Sequence, residues 1–132
     1  MKLLLLVCAE TSVVDQATNR ASLFNLLEEV ATPTFPILIY STVVYTSWER
    51  EEADSDTQAD VSVKLNDKQL FTAQLAINFQ QAMRCRSVLT ALGLVLTEPG
   101  TLVFDIIFGG QVLGSYHVPV KSISQSSEVA AP

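Results

Sequence analysis

A strict two-residue alternation in the middle of the chain constrains the fold more than any other feature. Val61, Val63 and Leu65 alternate with Ser62 and Lys64, and Phe71, Ala73, Leu75, Ile77 and Phe79 alternate with Thr72, Gln74, Ala76 and Asn78. Successive side chains of a strand point to opposite faces, whereas a helix would space its apolar positions by three and four residues. Each segment therefore reads as a strand with one dry and one wet face. Between them lies Asn66-Asp67-Lys68-Gln69, and Asn and Asp tolerate the left-handed conformation of a tight hairpin turn. A lone hairpin is not stable in water, so a second layer must cover its dry face.

The rest of the chain supplies that layer. Ile37 to Trp48 is rich in β-branched and aromatic residues and follows Pro33 and Pro36, which break any preceding element. Ser87 to Thr97 is a further apolar strand, with Gly93 a candidate bulge, closed by Glu98-Pro99-Gly100. Thr101 to Phe108 and Val112 to Val120 form a last hairpin around Gly109-Gly110. The opening apolar run, Leu3 to Ala9, is too short to span a bilayer and is followed at once by Glu10. It reads as a strand buried on both faces rather than a signal segment. Ala21 to Val30 carries a helical stripe of Leu23, Leu26, Leu27 and Val30, but Thr18-Asn19-Arg20 looks like a hairpin turn from the first strand, which favours strand. The expected fold is all-β, an antiparallel Ig-like β-sandwich of about eight strands. It forms one domain over residues 1–122, with 123–132 a flexible C-terminal tail.

The last hairpin has two candidate registers. A two-residue Gly-Gly loop pairs Phe108 with Gln111 and Phe104 with Ser115, mixing aromatic and polar side chains on one face. A three-residue loop, Gly109-Gly110-Gln111, gathers Phe104, Ile106 and Phe108 with Val112, Gly114, Tyr116 and Val118 on one apolar face, and is expected for that reason.

Charge and cysteine content exclude several functions. The chain has 8 Lys and Arg against 14 Asp and Glu, a net charge of −6. Such a balance repels phosphate backbones and anionic bilayers, so neither nucleic acid nor membrane is an expected partner. Arg84 and Arg86, the only close basic pair, read as a solvated strand edge. Cys8, Cys85 and the single His117 are too few and too scattered for a zinc site, and no cofactor is expected. A Cys8–Cys85 disulfide would need an oxidising compartment; two buried, reduced thiols and a cytoplasmic location are the expectation.

The opening apolar strand, Val14-Asp15, Ser22-Leu23-Phe24-Asn25 and Pro33-Thr34-Phe35-Pro36 before a long strand resemble an uncharacterised family of small bacterial proteins. The ending is similar too: Glu98-Pro99-Gly100, an aromatic strand with Val103-Phe104, a Gly-containing hairpin and a final strand. The resemblance spans residues 3 to 120 and implies a compact β-sandwich in a bacterial, intracellular setting, with no activity to carry over. Members often have Gly after the apolar pair of the second strand, where this chain has Asn25.

Three groups of residues are candidates for function. The expected register sets Asp105 opposite Ser115 and Val103 opposite His117, so Asp105, Ser115 and His117 hold the ingredients of a hydrolase triad. No nucleophile elbow or oxyanion loop accompanies them, and no enzyme is expected. Glu49 to Asp60 contains six of the 14 acidic residues, and Asp54, Asp56 and Asp60 are weak candidates for calcium. The third group is apolar. With 48% hydrophobic and 17% charged residues, the chain has more apolar surface than so small a domain readily buries. Val103, Ile107 and Leu113 on the last hairpin, with Tyr40, Val44 and Trp48 on one face of the long strand, are the expected interface. The expected function is a non-enzymatic β-sandwich binding module that self-associates as a homodimer or docks on another protein. An accessory structural subunit of a bacterial or phage-derived assembly is one alternative, and a calcium or small-ligand binder using the 49–60 loop is another.

Overall fold

A computed structural model describes residues 1–51 and 55–123. Nine strands run through them: β1 (Lys2–Val14), β2 (Ala21–Leu26), β3 (Val30–Thr32), β4 (Ile37–Glu49), β5 (Thr57–Leu65), β6 (Lys68–Ile77), β7 (Arg84–Leu96), β8 (Gly100–Phe108) and β9 (Gln111–Ser122). They form a four-stranded sheet in the order β2-β1-β4-β7 and a five-stranded sheet in the order β3-β9-β8-β5-β6. All pairings are antiparallel except β3 with β9, which is parallel. The all-β expectation holds. The stretch expected as one strand from Ala21 to Val30 is instead divided between the sheets: β2 pairs with β1, and β3 crosses to lie on β9. The tail residues 124–132 lie outside the described residues.

The core lies between the sheets. Cys8, Val44, Trp48, Ala91, Leu94 and Leu96 come from the four-stranded sheet; Val61, Val63, Leu65, Leu75, Ile77, Leu102, Phe104, Ile106 and Val118 come from the other. Removing such side chains from water is the main force holding the layers together. Two polar ties add to it. Trp48 Nε1 donates to Thr46 Oγ1 at 2.8 Å, and Thr46 Oγ1 donates to the Ser87 carbonyl at 2.7 Å, all buried. Ser87 Oγ in turn donates to the Ala76 carbonyl on β6, joining the sheets at 2.7 Å.

Both tight hairpins follow one device. Asn66 and Asp67 have φ of 50° and 68°, and Gly109 and Gly110 have φ of 59° and 79°, the left-handed pairs of two-residue hairpin turns. After each turn one strand bulges, between Val63 and Lys64 in the β5–β6 register and between Ile106 and Ile107 in the β8–β9 register. The last hairpin therefore contains both candidate registers. Its tip pairs Phe108 with Gln111, as a two-residue loop requires; beyond the bulge Ile106 faces Gly114 and Phe104 faces Tyr116, as the apolar face requires. A one-residue bulge corrects the face without changing the turn.

The long strand departs from expectation. Near its start Ile37 and Ile39 pack on the core, but further along Thr42, Val44, Thr46 and Trp48 are the buried set. On β7 the core residues are likewise Leu96 and Leu94, then Ala91. Both strands exchange faces at Tyr40 and Gly93, and the register does not slip: Ile39 faces Leu94 and Ser41 faces Leu92. Gly93, with φ of 74°, makes the turnover accessible. Val44 and Trp48, expected at an interface, are thus fully buried, while Tyr40 is 80% exposed.

β1 is also a correction. Its apolar start was expected to be buried on both faces, yet Leu4 and Leu5 are 37% and 46% exposed while Leu3 and Leu6 pack on the core. Beyond Ala9, β1 leaves β4 and continues into the β1–β2 hairpin, whose expected turn closes with Asp15 accepting from the Asn19 and Ala17 amides. The hairpin folds back over the sheet. Arg86, opposite Ser47 on the ladder, donates to the Asn19 carbonyl at 2.8 Å and to Tyr45 Oη at 3.2 Å, four residues behind the point at Val43 where β1 departs.

Candidate functional site

β7 has a paired neighbour, β4, on one side only in its sheet. It is 13 residues long, and from Ser87 to Leu96 it holds neither a charge nor a proline. Its backbone edge is thus a template for another strand. Beside it, on the outer face of the sheet, Leu92 is 71% exposed, Val95 45% and Val88 40%, with Leu38 and Tyr40 of β4 completing the patch at 46% and 80%. Leu38 faces Val95 across the ladder, so these two side chains are neighbours. The turnover at Tyr40 and Gly93 creates the patch, because it carries large side chains outward at the end of both strands.

The other expected interface residues lie elsewhere. Val103 and Ile107 are half-buried and Leu113 is exposed on the outer face of the five-stranded sheet, interleaved with Asp105, Ser115 and His117. They do not join Tyr40 in one surface. The expected pairing of Asp105 with Ser115 and of Val103 with His117 is present. However, the Ser115 hydroxyl donates directly to the Asp105 carboxylate. In a nucleophilic triad the histidine stands between those two groups, taking the hydroxyl proton. The arrangement is that of a polar pair on an open sheet.

Asp54 lies outside the described residues. Asp56 accepts from the Phe79 amide at 2.7 Å, which anchors the β6–β7 loop. Asp60 is exposed on β5, and four extended residues separate the two carboxylates by about 13 Å of backbone, too far for one calcium shell. Among the described residues no group of three or more Asp, Glu, His or Cys side chains is placed to hold a metal. The thiols are separate: Cys8 lies opposite Val44 and Cys85 opposite Trp48, again about 13 Å apart along the strands, beyond disulfide reach. Burial pushes the Cys8 thiol up to about 12. Cys85 is raised by burial as well, with Ser87 lowering it and the Asp56 charge raising it.

No helix among the described residues is long and apolar enough to cross a membrane. Comparison with protein-family models, with curated proteins and with solved structures finds no match for this chain.

Sequence reasoning had the uncharged run of β7 in view and missed its meaning. Edge position is a property of strand order, which local pattern does not encode.

Proposed function

We propose that this chain is a non-catalytic, self-associating β-sandwich module whose two copies pair their β7 edges antiparallel, extending each four-stranded sheet into one of eight. The observation that carries the reading is the uncharged β7 edge with its apolar flank of Leu38, Tyr40, Leu92 and Val95. A two-fold interface sets the same patch against itself, so any net charge there would repel. In a chain of net charge −6, this patch is uncharged. Natural edge strands are usually protected from pairing by lysine, proline or short length, and the central part of β7 has none of these.

The fold supports a binding role. An Ig-like reading takes β1, β4 and β7 as strands A, B and E, and β5, β6, β8 and β9 as C, C′, F and G, with strand D missing and with β2 and β3 as additions at the sheet edges. Without D, strand E becomes the edge. The buried tryptophan stands on strand B here rather than on C as in antibody domains. The bacterial family resemblance is compatible with this layout.

The test is the absolute mass of the purified chain by size-exclusion chromatography with light scattering. The expected value is twice the 14.4 kDa of one chain, falling to one chain in Leu92→Lys with the thermal unfolding of each subunit preserved. A wild-type monomer at concentrations on the order of 100 μM would overturn the proposal.

A further inference from the structure

A cleft of about 650 Å³ opens where the β1–β2 turn meets the starts of β4's partner strand and of the β6–β7 loop. Arg84 and Arg86 both line it. Two residues apart on one strand, they project from the same face about 7 Å apart. The remaining polar lining comprises Asn19, Tyr45, Ser47, Asn78, Gln80 and Cys85, with no carboxylate, in a chain where acids outnumber bases 14 to 8. Two neighbouring acids are already engaged: Glu49 holds Arg84 Nε at 3.2 Å, and Asp56 accepts from the Phe79 amide.

Arg86 is fixed in place. Its Nε donates to Tyr45 Oη, and its terminal nitrogens donate to the Asn19 carbonyl and, at 3.5 Å, to Asn19 Oδ1. A guanidinium has five N–H donors in a rigid fork, so two remain beyond these three bonds. Arg84 is 71% exposed and commits one donor to Glu49. The geometry points to a binding site for a small oxyanion, a phosphate- or carboxylate-bearing ligand that bridges Arg84 and Arg86, with the Ser47 hydroxyl and the Asn78 amide as neutral donors. Planar guanidinium forks are suited to such oxygens, and charge-assisted bonds of this kind are the strong ones. Phe79 contributes apolar lining, and the Arg50 guanidinium stands over its ring at 6.0 Å. The site does not depend on self-association.

Titration of the full chain with inorganic phosphate, followed by calorimetry and by amide NMR shifts, tests the site against sodium chloride of equal ionic strength. Saturable binding is expected, with shifts confined to Asn19, Ser47 and the start of β7. Arg84→Gln, which removes an exposed side chain, is expected to weaken phosphate binding about tenfold. Glu49→Gln releases Arg84 from its competitor and is expected to strengthen binding severalfold. Citrate displacing phosphate would identify a shared site for free small anions. Displacement only by an acidic peptide, with citrate inert, would overturn the small-ligand assignment. Equal response to chloride, or phosphate binding unchanged in both variants, would overturn the site itself.

Discussion

Thr46→Val should expose how much the buried Trp48–Thr46–Ser87 chain contributes. The hydroxyl of Thr46 accepts from the indole N–H at 2.8 Å and donates to the Ser87 carbonyl at 2.7 Å, with Thr46 and Trp48 fully buried. Valine has the same shape but neither function. The indole N–H loses its partner in a site closed to water, and the Ser87 carbonyl loses one, a combined cost of about 2–4 kcal/mol. The added methyl returns about 1 kcal/mol of apolar burial. The net loss is about 2 kcal/mol, equivalent to a melting temperature lower by about 8 °C for a chain of this length. Urea unfolding followed by circular dichroism measures it, with the m-value unchanged if both states keep their compactness. Trp48→Phe removes the indole donor and supplies the control: on that background Thr46→Val should cost about 1 kcal/mol less, the coupling of one bond. Equal cost on both backgrounds, or a Thr46→Val variant within about 0.5 kcal/mol of the parent, would refute the assignment of the loss to the hydrogen-bond chain.

Other outcomes follow from the same structure. Gly100→Ala should destabilise by about 2–3 kcal/mol, because φ is 149° and a Cβ there would collide with Asn66 Oδ1, displacing the Asn66 side chain from the Pro99 carbonyl and the Thr101 amide; chemical unfolding measures this. Alkaline pH should weaken the fold. Burial pushes the Cys8 thiol from an ordinary value of 9.0 up to about 12, so between those values the folded state retains a proton the unfolded state has lost. Stability then falls by up to about 1.4 kcal/mol per pH unit; burial raises Tyr116 in the same direction, and Cys8→Ala should flatten the decline in a pH series of unfolding curves. Millimolar calcium should leave the melting temperature where EDTA leaves it, since Asp56 and Asp60 do not converge; a rise of several degrees would refute that reading of the two carboxylates.

Local pattern carried much of this fold and little of its surface. The alternation of Val61 to Phe79 specified strands, faces and turn together, because each residue's preference agreed with its neighbours'. The β8–β9 hairpin shows a partial success. The apolar face demanded one register and the Gly-Gly turn another, and a bulge at Leu113 satisfied both. Tyr40, Val44 and Trp48 shared a face by simple parity, but parity fails where two paired strands turn over together at Gly93. The folded-back β1–β2 hairpin depends on Arg86 reaching Asn19, 67 residues away in sequence, and no window of local sequence contains both. The same holds for the cleft, whose two arginines look like a solvated edge until the hairpin tip is seen to cover one of them.

The position of β9 has a consequence for how the chain is made. It lies between β8 and β3, and β3 has no other partner in its sheet. The last described strand to leave a ribosome is therefore the one that anchors a segment made some ninety residues earlier, with Val30 facing Val120. Until β9 arrives, Phe104 and Ile106 lack the Tyr116 and Gly114 side of their layer, and the uncharged β7 strand is already exposed. Such non-local closure is slow, and a nascent chain in that condition invites pairing with its neighbours. Synthesis rate and chaperone supply, rather than final stability, should then govern how much of this protein is recovered in native form.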